Sequence, residues 1–354
     1  MLWSVNELED AHMNYARQLQ FSVAGSSAQP LKSFHKENAM NYSRCTLTLM
    51  ASLICFTSLS LRAEEPDKLA AILIPGEDWQ PVVEGLGFAD GLSCDATNGN
   101  IFFSDLKPKD PANLATYVLR PEGDKIKLFN GAHSGTRPGG DYKTLFAVGN
   151  KKLVSFVLPN GPETVLAENI GTNDLVVTRD GRAYLTGNGK GQVTMVDIKT
   201  KELKIVDSGS LKNPNGIGLS PDQKTLLVSD YGGIHVWTFT IQPDGSLTDK
   251  KPAMTMKAPE KKPDVAGGDG MAIDSTGRAY VTTALGLQIF SPTGELLGIL
   301  PKPKNAPLVS CTFGGKALEY LYISNGDTIY RRKTRVSGVS FVQTGTEGTK
   351  IPVP

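Results

Sequence analysis

The stretch that decides the fold is Gly267-Gly268-Asp269-Gly270-Met271-Ala272-Ile273-Asp274-Ser275-Thr276-Gly277-Arg278-Ala279-Tyr280-Val281. It reads as a carboxylate at a loop-to-strand junction, a short alternating strand, a Ser-Thr-Gly turn and a second strand rich in β-formers. The phrase recurs upstream. Asn173-Asp174-Leu175-Val176-Val177 followed by Arg179-Asp180-Gly181-Arg182-Ala183-Tyr184-Leu185 repeats its rhythm, and Asn215-Gly216-Ile217-Gly218-Leu219 stands before Pro221-Asp222 in the same way. An oxygen-bearing side chain opens each copy.

Working outward, further openings fall at Asp90-Gly91-Leu92, Arg137-Pro138-Gly139 and Val309-Ser310-Cys311. The first copy turns at Asn98-Gly99, a strong hairpin signal between apolar runs. Six openings at this spacing match the four-stranded sheets of a propeller, so an all-β, single-domain, six-bladed β-propeller is expected over residues 80–340. In such a ring the innermost strand of each blade lines a central channel, and residues a hundred positions apart face one another. The run Lys250-Lys251-Pro252, with Lys257 to Pro263 after it, reads as an exposed loop over the site.

Positive and negative charges nearly cancel, leaving a formal net charge of +1. No global basic field recruits nucleic acid, and the expected partner is a small uncharged or anionic molecule met by a monomer. From Met40, a short basic start, a run from Cys45 to Leu61 without charge, and Arg62-Ala63-Glu64-Glu65-Pro66 read as a secretory leader cleaved near Ala63. This predicts an exported protein, periplasmic or secreted, with no stable membrane association once the leader is gone. Residues 1–39 lack both core and strand rhythm and read as a disordered or mis-assigned extension ahead of a true start at Met40. Residues 64–79 form a lead-in and 341–354 a tail. Cys94 and Cys311 remain in the mature chain, in the first and last repeats, and read as small buried hydrophobes or as a pair. No Cys-x-x-Cys or Cys/His cluster supports a zinc site.

Asp90, Asn173, Asn215 and Asp269 each open a different repeat. Any one alone reads as a turn former; their recurrence at one register makes them a set. Two carboxylates and two amides are a hard, all-oxygen donor group, suited to Ca2+ or Mg2+ before Mn2+ or Zn2+. No Gly-x-Ser-x-Gly phrase is present, which argues against a serine hydrolase. His235, alternating with Val236 and Trp237, reads as packing.

Four phrases carry a resemblance: Asn173-Asp174-Leu175-Val176-Val177, Pro214-Asn215-Gly216-Ile217-Gly218-Leu219-Ser220-Pro221-Asp222, Asp269-Gly270-Met271-Ala272-Ile273-Asp274 and Thr312-Phe313-Gly314-Gly315. In this order they resemble the gluconolactonase/senescence marker protein/luciferin-regenerating enzyme-like family over residues 80–335. The resemblance implies a six-bladed propeller with one divalent cation in its channel and hydrolysis of a lactone or related ester. It puts the family's acidic metal ligand on Asp90, its asparagine ligand on Asn215, and the aspartate that is both ligand and base on Asp269. Asn173 matches an asparagine that touches substrate, or the metal in related phosphotriesterases. Two departures stand out: Asp90-Gly91-Leu92 replaces a usual Glu-Gly-Pro, and Gly171 stands where the family has an arginine that grips sugar acids. Arg137 is the candidate replacement for that clamp, and His133 a candidate substrate-side proton carrier. Two rival functions use the same face: a non-catalytic propeller that binds carbohydrate or protein, and a phosphotriesterase-like hydrolase.

Overall fold

The computed structural model describes residues 68–187 and 191–341, so the leader expected at 40–63, the extension before it and the tail beyond Phe341 lie outside the described residues. The described chain begins with turns that bury Ile72 completely. Strand β1 (Gln80–Val83) follows. Sheet one is β2 (Ala89–Asp95), β3 (Asn100–Asp105), β4 (Ala115–Leu119) and β5 (Lys125–Asn130). Sheet two is β6 (Gly135–Pro138), β7 (Thr144–Gly149), β8 (Lys152–Val157) and β9 (Glu163–Glu168). The third comprises β10 (Leu175–Val177), β11 (Arg182–Gly187), β12 (Gln192–Asp197) and β13 (Leu203–Ser208), and the fourth β14 (Pro214–Leu219), β15 (Thr225–Asp230), β16 (His235–Ile241) and β17 (Leu247–Thr255). The fifth is β18 (Met271–Ile273), β19 (Ala279–Thr283), β20 (Gly286–Phe290) and β21 (Leu296–Leu300). The last has β22 (Leu308–Gly314), β23 (Tyr320–Asn325) and β24 (Thr328–Lys333), and takes β1 as its fourth strand.

Each sheet is an antiparallel meander, and the first strands of successive sheets touch in a closed series from β2 through β6, β10, β14, β18 and β22 back to β2. This is the six-bladed β-propeller that the repeat predicts. The second strands explain its core. Arg182-Ala183-Tyr184-Leu185-Thr186 and Arg278-Ala279-Tyr280-Val281-Thr282 alternate so that Tyr184 and Tyr280 are fully buried between blades, as Tyr322 nearly is in the last blade. Their hydroxyls find acceptors, Tyr184 at the Gly245 carbonyl (2.9 Å) and Tyr280 at the Asp274 carboxylate (3.0 Å). Closure is secured by β1, whose Gln80 and Pro81 pair with Arg331 and Tyr330 on β24.

The run Lys250-Lys251-Pro252 is strand, where the sequence reads as loop. It belongs to β17, the outermost strand of its blade, where proline is tolerated, and register shifts flank its pairing with Trp237. Lys250 owes its place to Trp237 and Phe239, whose ring faces lie 5.3 and 5.2 Å from its ammonium, and to Asp207 at 2.6 Å.

Candidate active site

All six innermost strands run the same way along the channel, so their starts gather at one end and their finishes at the other. Asp90 is the second residue of β2, Asn215 the second of β14, Asn173 and Asp174 stand just before β10, and Asp269 two residues before β18. The sequence set thus converges on one mouth. Asn215 is 5% exposed, while Asp90, Asn173, Asp174 and Asp269 are half-buried, which makes a recess open to solvent.

Local backbone chemistry fixes these side chains. Asn173 donates its N–H to the Thr186 carbonyl (2.9 Å) and Asp269 its N–H to the Thr282 carbonyl (2.9 Å), so each is held by the second strand of its own blade. Hydroxyls on those second strands reach across to the neighbouring opening: Thr186 Oγ1 donates to the Asn215 carbonyl, Ser229 Oγ to the Asp269 carbonyl (2.8 Å) and Thr282 Oγ1 to the Val309 carbonyl (3.2 Å). In the second blade, where Val148 replaces the hydroxyl, Ser134 Oγ donates instead to the Asn173 carbonyl (2.6 Å). Two glycines make the approach possible. A Cβ on Gly216 would lie 2.1 Å from the Asp269 carbonyl, and Gly91 adopts φ +66° against the His133 and Ser134 carbonyls.

The electrostatics distinguish the group from ordinary turn residues. The Asn215 side chain and the Gly270 N–H donate to Asp269, yet burial first, then the charges of Asp90 and Asp174, push the Asp269 pKa well above the usual carboxylate range. Burial pushes Asp90 up to about 7, opposed by the Gly91 N–H (2.8 Å) and reinforced by Asp174. Asp174 itself is raised by burial to about 6, moderated by Arg137 and by the Leu175 (2.8 Å) and Ile217 (3.4 Å) N–H groups. The sequence reading misses Asp174 as a member, although it stands in the quoted phrase beside Asn173. Only the closing of the ring brings its field to Asp90 and Asp269.

A hard divalent cation fits this chemistry: all the donors are oxygen, the carboxylates repel one another, and water reaches them. Among the described residues no three His, Cys, Asp or Glu side chains form a ready-made metal cluster, so a cation held here would draw on the amide oxygens of Asn173 and Asn215 as well.

Of the two substrate-side candidates, Arg137 turns toward the far end of the channel, and the His133 side chain is buried beside the recess rather than open to it. Arg137 sits on β6 and donates through Nε (3.4 Å) and Nη2 (3.3 Å) to the Leu175 carbonyl, while lining a cavity of about 80 Å³ toward the finishing ends of the inner strands. That cavity also meets Tyr142, Gln223 and Phe341. The segment after β24 runs along it: Ser337 accepts from the Ser275 N–H (2.8 Å), Gly338 donates to the Leu318 carbonyl (3.0 Å), and Phe341 packs against the cluster of Val176, Ile217 and Leu219. His133 is 7% exposed, stacked edge-on to Phe156, with Nδ1 2.9 Å from Thr116 Oγ1 and its N–H on Ser104 Oγ. Burial lowers its pKa to about 4, so the ring is neutral. Cys94 and Cys311 are both free thiols, and burial is the largest cause raising the pKa of each.

The fold and recess define a propeller with an oxygen-lined pit at one mouth of its channel. Residues 137–326 match the family described as the SMP-30/Gluconolactonase/LRE-like region, more than half of the chain, and the protein belongs to that family. It is similar to a gluconolactonase of Zymomonas mobilis subsp. mobilis, 27% identical over 280 residues that cover 68% of this chain and 77% of that protein. Among solved structures it resembles a gluconolactonase of Xanthomonas campestris, with TM-score 0.64, 22% identity, and 75% and 92% of the two chains covered. It also resembles the calcium-binding protein regucalcin of Agrobacterium tumefaciens, with TM-score 0.62, 15% identity, and 74% and 95% covered. At these identities the two structural likenesses establish the fold.

Proposed function

We propose that the protein hydrolyses a small lactone, or a related ester, in the recess formed by Asp90, Asn173, Asp174, Asn215 and Asp269, with one divalent cation, Ca2+ first. The observation that carries this is the gathering of carboxylate and amide oxygens from different blades at one mouth, where Asp90 stands close enough to raise the pKa of Asp269 and Asp174 to raise both. The likeness to the Zymomonas gluconolactonase supports the lactone as substrate class.

Asp90, Asn215 and Asp269 would hold the cation, with Asn173 contributing its amide either there or to a substrate hydroxyl. When bound, the cation supplies polarisation of the lactone carbonyl and charge for the developing oxyanion. Asp269 serves as general base. Held by Gly270 and Asn215 and raised in basicity by burial, its carboxylate takes a proton from the attacking water, and opening of the ring releases a carboxylate and a hydroxyl. Asn215 fixes the orientation of that carboxylate through its side-chain hydrogen bond.

The test is chelation. EDTA is expected to abolish hydrolysis of aldonolactones and to lower the melting temperature, and Ca2+ to restore both; a stripped protein with full turnover overturns the reading. The second reading, a non-catalytic propeller that binds a carbohydrate, is favoured by Gly171 standing where the family carries its substrate-gripping arginine. It predicts sugar binding by calorimetry with no turnover on any lactone. Export through the leader at 40–63 belongs to the same proposal and predicts a mature N-terminus near Glu64. A peptide upstream of Met40, found by mass spectrometry, would contradict it.

A further inference from the structure

Arg137 is the one Lys, Arg or His in the six innermost strands. A clamp for substrate carboxylates should reach into the open mouth. Arg137 instead turns to the wall and toward the far cavity, giving its Nε and Nη2 to the Leu175 carbonyl. The same peptide segment carries Asp174, whose Oδ1 accepts from the Leu175 N–H and lies 2.8 Å from the point where a Cβ on Gly135 would stand. Gly135 and Arg137 are two apart on β6 and so face the same side of it. The third blade's Asp174 is therefore set against the same strand face of the second blade from which Arg137 projects.

We propose that Arg137 is the channel's internal counter-ion, a positioning residue that offsets Asp174 from beneath the recess and leaves Asp90 and Asp269 as the two negative charges that meet a divalent cation. None of the described ion pairs includes Arg137. The geometry supports this: Asp174 Oδ1 lies against Gly135, and the guanidinium lies against the carbonyl of Leu175, the next residue after Asp174. Three carboxylates against one guanidinium leave the charge that one Ca2+ neutralises. The assignment explains why an arginine on an inner strand is compatible with a cation site at all. It rests on the metal-dependent reading above only for the calcium part.

The experiment uses the full chain, stripped with EDTA, as wild type, Arg137→Met, Asp174→Asn and the double variant, read by thermal melts and by calorimetric Ca2+ titration. Arg137→Met is expected to lower the metal-free melting temperature and to tighten Ca2+ binding on the order of tenfold or more, because a positive charge in a poorly solvated channel is removed. Adding Asp174→Asn should recover the melting temperature and return the affinity toward wild type. Arg137→Lys, which keeps the charge without the fork, should stay close to wild type in affinity. Additive losses in the double variant overturn the proposal, as does an Arg137→Met protein with wild-type Ca2+ affinity and a raised KM, the signature of a substrate clamp. Should Arg137→Met not fold, a folded double variant is the rescue expected and an unfolded one overturns the pairing. If wild type binds no Ca2+, the metal reading falls while the metal-free melts still decide the pairing.

Discussion

The two ends of the same inner strands carry aspartates of opposite character. At the finishing end Asp274 is completely buried and its oxygens are spoken for: Oδ1 accepts from Thr276 N and Oγ1 and from the Arg278 N–H, Oδ2 from Arg278 Nη1 and the Tyr280 hydroxyl. Asp95 takes three bonds from Thr97 and Asn98, and Asp222 is tied to Ser220 and the Lys224 N–H. At the opening end Asp90 accepts from its own neighbour's N–H, and Asp269 from Gly270 and Asn215, while like charges stand nearby. The same residue type, in the same repeat, closes a turn at one end and leaves lone pairs free for something else at the other. Saturated carboxylates stabilise; unsaturated ones facing a recess bind or react.

Substitutions at the two ends should therefore separate. Asp269→Asn is expected to reduce lactone hydrolysis by on the order of a thousandfold or more, while the EDTA-stripped variant melts at or above stripped wild type, since a general base is lost and a repelling charge is removed. Comparable turnover in that variant would erase the distinction between the ends. Asp274→Ala should do the reverse, costing about 3 kcal/mol in denaturant unfolding by orphaning Arg278 and the Tyr280 hydroxyl, with KM unchanged. Asp222→Ala, at an exposed turn, should shift the urea midpoint only slightly, and a large loss there would mean that turn chemistry alone does not explain this end.

His133 sharpens the comparison through pH. Its folded pKa, about 4, lies below the ordinary histidine value because it is buried against Phe156. The unfolded chain therefore binds the proton more readily, and this contribution to stability, complete above about pH 6.5, is lost as pH falls toward 4. The loss reaches up to about 3 kcal/mol. His133→Phe should flatten that part of the stability profile; an unchanged acid limb would show that the ring stays neutral for free. A role as proton carrier to substrate would instead appear as an altered pH dependence of kcat/KM in the same variant.

The fold was legible because the repeat carries its own punctuation. Asn98-Gly99 marks a hairpin, Arg-Ala-Tyr marks two second strands, and the openings at Asn173, Asn215 and Asp269 mark the channel. What escaped depended on contacts distant in sequence. The four residues Gln80–Val83 are too short to announce a strand and become one by pairing with β24. Lys250-Lys251-Pro252 looks like a loop because proline and charge are unfavourable in a central strand, yet an outer strand tolerates both. Asp174 and the orientation of Arg137 were hidden for a related reason, since strand alternation says which side a residue takes but not which blade it meets.

Ring closure by β1 carries a consequence for biogenesis. Gln80 waits for Arg331, so a chain emerging from the ribosome must complete five sheets before the first of the described strands finds a partner. Until then those two edges stay open to any passing strand, and the meeting of two segments synthesised far apart in time is expected to be a slow step.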